Sequence, residues 1–266
     1  MVAFAANDGP SSYRTLDVAL DGRVVTVTLD RPECLNAVSP LLLRELADAL
    51  WRESTRADTA AMIIRGAGTS FCAGFDLRVD QSSPDEMALV DKVEQLHDIT
   101  RAIRRARFPV VASVRGYALG AGAELALCSD LVVASDTAQF GFPEVDVSLS
   151  VTGGISTLLP LAVGAVKAKE LVLLGDRLGA AEARDLGLVN WVVPDDELDR
   201  HTRDIVGRLV AKPRFAIAAA KATLDAAAPG DLEAAFAVET GYAVSTQSSA
   251  AAESARTRFQ DTGEVR

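Results

Sequence analysis

Three features of the chain predict an α/β fold. Short β-branched or apolar runs recur through its first half: RVVTVTL at 23–29, AAMIIRG at 60–66, FPVVASVRG at 108–116 and DLVVAS at 130–135. Segments with apolar residues at helical spacing separate them: 39–54 with Leu42, Leu46 and Leu50, then roughly 85–106, then 121–129. This alternation implies parallel pairing, because parallel neighbours need a crossover long enough for a helix.

Along the chain, Ser39 stands as N-cap and Pro40 as first helical residue of 39–54. AQFGF at 138–142 reads as a short extended piece ending at Pro143. Beyond residue 160 the texture turns to Ala, Leu, Arg and Glu, with four or five helices expected between 164 and 260, interrupted by the extended LVNWVV at 188–193. AAAPGD at 226–231 reads as a helix stop followed by a start. No hinge-like composition divides the halves, so the expected organisation is an α/β core over 1–200 and a helical region over 201–266. That region carries Leu232, Phe236 and Phe259 but little other bulk, and is expected to pack on the core or on another subunit.

Composition excludes several classes. The 266 residues carry 27 Lys and Arg against 37 Asp and Glu, a net charge of −10, which disfavours long-range attraction to nucleic acid or an anionic membrane. No apolar run approaches the roughly 20 residues of a membrane span, and residues 1–14 have no secretory leader pattern, so a soluble cytoplasmic protein is expected. Cys34, Cys72 and Cys128 are isolated, without zinc-site or disulfide spacing. The two histidines, His97 and His201, lie far apart and read as partly exposed residues, leaving no material for a His-based triad or metal cage. The arginines at 101, 104, 105, 107 and 115 read as a solvated helix face, with a local basic pocket as the other possibility.

The informative stretch is GYALGAGAELALCSD at 116–130, where small residues clear a helix start and then admit one acid, Glu124. Three readings fit: tight helix-on-strand packing; a phosphate cradle, weakened by Leu125 in place of a third glycine; and an oxyanion site with an acid/base group beside it. The third needs a second donor and a second acid. GTSFCAGFDL at 68–77 supplies small residues at a strand end, and AQFGFPEV delivers Glu144 twenty positions beyond Glu124, enough for the chain to double back.

These segments together resemble the crotonase, or enoyl-CoA hydratase/isomerase, superfamily. The matching pieces are RPECLNAV, GAGTSFCAGFDL, FPVVASVRGYALGAGAELALCSDLVVAS, AQFGFPEV and LLGDRLGAAEARDLGLVNWVV, in family order from about residue 15 to 260. The resemblance implies a spiral of ββα units with a C-terminal helical region, a homotrimer or dimer of trimers, an acyl-CoA thioester substrate, and no metal or separate cofactor. It places the oxyanion-hole N–H groups at Ala73 and Ala121, the catalytic acids at Glu124 and Glu144, and CoA contacts at Leu35, Asn36, Ala37, Ala73, Asp76 and Leu77, with Arg256 where a basic residue often meets CoA phosphates. Two departures, SLSVTGGIS after the second glutamate and Phe142, fall near the expected acyl pocket. The implied reaction is hydration of a 2-enoyl-CoA. Alternatives are double-bond isomerisation with Glu144 as main base, a non-catalytic acyl-CoA scaffold, and a glycosidase acid pair, which the 5% aromatic content disfavours.

Overall fold

A computed structural model of the chain describes residues 13–78, 86–227 and 230–262. The N-terminal stretch read for a leader, the first residue of the 85–106 helix, and Ala228 and Pro229 of the helix stop lie outside the described residues.

The first hairpin, β1 (Leu16–Asp21) and β2 (Val24–Leu29), turns at Gly22, whose φ of 58° suits glycine. Then come α1 (Pro40–Thr55), β3 (Ala61–Gly66), α2 (Glu86–Arg105), β4 (Val110–Val114), β5 (Tyr117–Leu119), α3 (Ala121–Cys128), β6 (Leu131–Ser135) and β7 (Gln139–Gly141). The second half runs α4 (Ile155–Val163), α5 (Ala165–Leu174), β8 (Leu178–Gly179), α6 (Ala180–Asp185), β9 (Trp191–Val193), α7 (Leu198–Val210), α8 (Arg214–Ala227), α9 (Leu232–Gln247) and α10 (Ala250–Thr262). The Ser39 hydroxyl accepts the Leu42 N–H, so the cap of α1 is real, with Pro40 behind it.

One six-stranded sheet has the order β1-β2-β3-β4-β6-β9, antiparallel only between β1 and β2. A second sheet, β5-β7-β8, continues through isolated parallel bridges from Cys72 to Ala118 and from Val38 to Phe75. Successive passes of the chain therefore stack their strand ends, which is the spiral expected from the resemblance, and residues 72–75, 117–121 and 139–144 are brought to one place.

The main core joins α1, the sheet interiors and α3 through residues such as Leu42, Leu46, Ile64, Phe71 and Phe140. Phe142 belongs to it as well, at 1% exposure, so it fills the core instead of facing an acyl pocket. Helix α7 covers the other face of the sheet, where Leu198 and Val206 meet Ile63, Val111 and Val133. The division expected at residue 200 thus falls inside the first turn of a helix that packs on the sheet. Among the described residues, six α-helices, not four or five, lie between 165 and 262; the six-residue α6 is too short to register as a period.

His97 is not a surface residue. It is fully buried on α2, stacked on Phe236 of α9 with ring centroids 4.3 Å apart, and its Nε2 lies 3.1 Å from Glu239 Oε2. Four of the five clustered arginines form ion pairs: Arg101 with Glu94, Asp98 and Glu233, Arg104 with Asp225, Arg105 with Glu233 at 4.0 Å, and Arg115 with Asp195 and Asp199. No helix among the described residues is long and apolar enough to cross a membrane.

Candidate active site

The turn into α3 explains the small residues. Gly120 takes φ 51°, and a Cβ there would stand 2.9 Å from Glu144 Oε1. A Cβ on Gly122 would collide with the Cys72 carbonyl oxygen, so α3 can lie on the 72–75 segment only as glycine. Gly74, at φ 90°, sits so that its missing Cβ would fall 2.8 Å from Leu119 O and 3.8 Å from Ala121 N. The 73–75 turn therefore lies directly against the start of α3. Ala121 is the first residue of that helix, so its N–H has no intrahelical partner, and it finds no other acceptor among the described residues.

Ala73 requires a correction. Its N–H is donated to Leu35 O at 3.0 Å, so it is already used in the backbone ladder and cannot serve an oxyanion. The neighbouring N–H two residues on is the available one. Val38 donates to Gly74 O (2.7 Å) and accepts from Asp76 N–H (3.0 Å), and in a parallel bridge the intervening Phe75 N–H must turn the other way. Among the described residues it has no acceptor. The period-two alternation of an extended segment carries this information, but only once the partner of that segment is known.

Ala73, Gly74, Phe75, Leu77, Gly120, Ala121, Pro143, Glu144, Val147 and Leu149 enclose a cavity of about 60 Å³. Glu144 stands near the start of a 3₁₀ turn, Pro143–Val147, with its carboxyl buried and Oε2 without a hydrogen-bond partner. Glu124 is also buried, against a small apolar void lined by Leu42, Leu96 and Ile99; Ala121 lines both spaces. Glu124 Oε1 accepts the Thr152 N–H at 2.7 Å and Oε2 the Thr152 hydroxyl at 2.8 Å. Burial raises the Glu124 carboxyl well above the usual range, the Glu144 charge raises it further, and the two Thr152 bonds hold that rise back. Burial likewise lifts Glu144 to about 7, with the Asp146 charge adding to the effect.

Thr152 was not singled out in the sequence, although the SLSVTGGIS departure contains it. Its neighbour Gly153, at φ 66°, would bring a Cβ to 3.2 Å from Glu124 Oε2, which suits glycine at that position. Glu239 was missed for a different reason: it lies in an alanine-rich helix far along the chain. It accepts the N–H groups of Gly154 (2.8 Å) and Ser156 (2.9 Å) and the Ser156 hydroxyl (2.5 Å), and so fixes the turn that carries Thr152.

The other expected contacts divide. Leu77 lines the cavity and Leu35 is exposed at 37%. The Asn36 side chain is fully buried and consumed internally, accepting the Arg31 N–H and donating to Ala67 O and Ser70 O. Asp76 is paired with Arg31 at 2.9 Å and accepts the Arg78 N–H. Ala37 is buried and its carbonyl accepts from Arg31. These three act as braces of the 31–38 segment. Arg256, on α10, is half-buried, its Nη1 3.4 Å from Gln247 O. Among the described residues no group of His, Cys, Asp and Glu is arranged to hold a metal ion.

The enoyl-CoA hydratase/isomerase family model matches residues 20–266. The chain is 40% identical over 191 residues to a probable enoyl-CoA hydratase of Rhizobium meliloti, covering 70% of this chain and 72% of that one. It is 33% identical over 230 residues to a crotonyl-CoA hydratase of Syntrophomonas wolfei, covering 86% and 88%. A crystal structure of an enoyl-CoA hydratase from Mycobacterium avium subsp. paratuberculosis superposes with a TM-score of 0.86 at 32% identity, over 93% of this chain and 96% of the other. Spiral fold, small-residue helix start and near full-length match agree: the chain belongs to the enoyl-CoA hydratase/isomerase, or crotonase, family of enzymes.

Proposed function

We propose that the cavity binds a 2-enoyl-CoA thioester and adds water across its double bond, giving a 3-hydroxyacyl-CoA. The observation that carries this reading is the convergence of two buried carboxyls with raised proton affinity on two backbone N–H groups, of Phe75 and Ala121, that have no acceptor of their own among the described residues. The thioester oxygen takes hydrogen bonds from both groups. Glu124, held by Thr152, receives a proton from water as the water oxygen bonds to Cβ. The electrons of the double bond move toward Cα and the thioester oxygen, and Glu144 delivers its proton to Cα. Two close buried carboxyls resist ionising together, so the pair holds one proton near neutrality and titrates as a unit. Losing one oxyanion donor typically costs about 3 kcal/mol of barrier. No cofactor is needed beyond the CoA that the substrate carries, and the enzyme works in the cytoplasm as a homotrimer or dimer of trimers.

The test is direct. Glu124→Gln and Glu144→Gln, assayed separately for absorbance loss at the conjugated bond of crotonyl-CoA, should each slow turnover by on the order of 10²–10⁴. Full activity in both variants would remove the mechanism. One observation favours a second reading: Glu144 lines the cavity whereas Glu124 lies against the inner void. A lone base at Glu144 suffices to shift a double bond between the 2- and 3-positions. Proton NMR with 2-enoyl and 3-enoyl thioesters separates the two, since only isomerisation interconverts them without forming a hydroxyl.

A further inference from the structure

Helix α4 begins on a residue that cannot cap it. Gly154 occupies the N-cap position at φ 85° and has no side chain, so the first N–H groups of the helix need an acceptor from elsewhere. Glu239 of α9 supplies it from 85 residues further along the chain. Its Oε2 takes the Gly154 N–H, and its Oε1 takes both the N–H and the hydroxyl of Ser156, at 2.8, 2.9 and 2.5 Å. The carboxyl is buried at the positive end of the helix. The two elements meet closely: a Cβ on Gly154 would stand 2.9 Å from the Phe236 ring and 3.0 Å from Leu232 Cδ2, both of α9.

The acceptor is itself held. His97 Nε2 lies 3.1 Å from Glu239 Oε2, and both residues are buried. Helix α9 is tied to α2 around that contact, by Arg101 to Glu233 at 2.7 Å and by the Thr240 hydroxyl to Glu94 at 3.1 Å. From α2 the Thr100 hydroxyl also donates to Gly153 O at 2.8 Å. Residues 153, 154 and 156 are therefore clamped between two helices. The residue just before them, Thr152, gives both its N–H and its hydroxyl to Glu124. Neither Glu239 nor His97 is among the residues that enclose the cavity.

A side chain at the N-cap would cap α4 locally, but at position 154 it would strike Phe236, so the acceptor has to come from another element. We propose that Glu239, backed by His97, is a positioning residue for the reaction: it fixes the 152–156 turn so that Thr152 holds the Glu124 carboxyl where it takes a proton from water. The C-terminal helical region then contributes to turnover without touching the substrate. The inference rests on the reading of Glu124 as the base.

The experiment uses the full chain carrying Glu239→Gln, Ser156→Ala or Thr152→Val. Glu239→Gln turns an amide NH2 toward donors, and should lower kcat for crotonyl-CoA hydration about tenfold while KM changes less than about twofold. Ser156→Ala removes one bond to Glu239 and should give the same split at about threefold. If Glu239 acts through Thr152, the Glu239→Gln/Thr152→Val double variant loses less than the product of the two single losses. Losses that multiply, or a fall in kcat/KM carried by KM, overturn the proposal. A second readout needs no substrate. With isotope-labelled threonine, the Thr152 amide NMR signal is identified by its disappearance in Thr152→Val. It should move upfield in Glu239→Gln and Ser156→Ala as its bond to Glu124 lengthens. An unmoved signal overturns the positioning role whatever the rates, and if Glu239→Gln does not fold, Ser156→Ala decides by the same two measurements. A wild type inactive on crotonyl-CoA removes the hydratase reading, and the amide signal then decides whether Glu239 positions Glu124.

Discussion

Glu124 and Glu144 each lose their water on folding, and the loss reaches beyond chemistry to stability. A carboxyl whose pKa is raised in the folded state binds its proton more tightly there than in the unfolded chain. Between the ordinary value of 4.5 and the folded value of about 7 for Glu144, the folded protein therefore holds more protons, and stability falls as pH rises through that window. The full penalty, up to about 3 kcal/mol, is present above pH 7 and absent below 4.5. Glu144→Gln should accordingly be more stable than wild type in urea unfolding at pH 8, with the advantage shrinking toward pH 4. A variant less stable than wild type at pH 8 would show that the carboxyl is better solvated than its burial implies. The same two groups were legible in the sequence, Glu124 as a lone acid after small residues and Glu144 as an acid just after Pro143, while Thr152 and the Phe75 N–H were not. A hydrogen bond between residues 124 and 152 depends on where two separate turns finish, and no local pattern encodes it.

At the scale of elements, the entrance of α3 is the feature on which the site depends. Gly122 lies against the Cys72 carbonyl oxygen with no room for a methyl group, whereas Gly207, inside α7, has nothing within 4 Å of its absent Cβ. Gly122→Ala should destabilise by about 3 kcal/mol or prevent folding, through overpacking against rigid backbone. Gly207→Ala should stabilise by roughly 0.5–1 kcal/mol, because the helix interior gains by restricting the unfolded chain. Chemical-denaturation midpoints of the two variants check the pair, and similar values for both would contradict the packing described here. Strand β2 was visible in the sequence through its β-branched alternation, and β3, β4 and β6 because buried parallel strands read as continuous apolar runs. Strand β1 was not, since it is an edge strand with mostly exposed residues, and β5, with three residues, is too short for any period.

For the whole molecule, the surface is as telling as the core. Val166, Leu173 and Leu174 of α5 are 84%, 67% and 61% exposed, and Phe215 and Leu224 of α8 are 86% and 73% exposed. Exposed large apolar side chains on these helices, and Val238 and Tyr242 on α9, fit the proposed homotrimer or dimer of trimers, in which another copy covers some of them. Light scattering on purified protein should give a mass of three or six chains, and the double variant Val166→Glu/Leu173→Glu should lower it; a monomeric wild type would refute the assembly.

By itself, the sequence determined the α/β alternation, the glycine-bound start of α3 and the two acids, because strand and helix periods, turn residues and lone charges are properties of neighbours along the chain. The tertiary structure decided which N–H groups remain free: that of Phe75 finds no acceptor among the described residues, whereas that of Ala73 is donated to Leu35 O. It also turned His97 and Phe142 inward and brought Glu239 to the turn that holds Thr152. Each of these depends on which distant segment satisfies a backbone or side-chain polar group, and that choice is made only when the spiral closes.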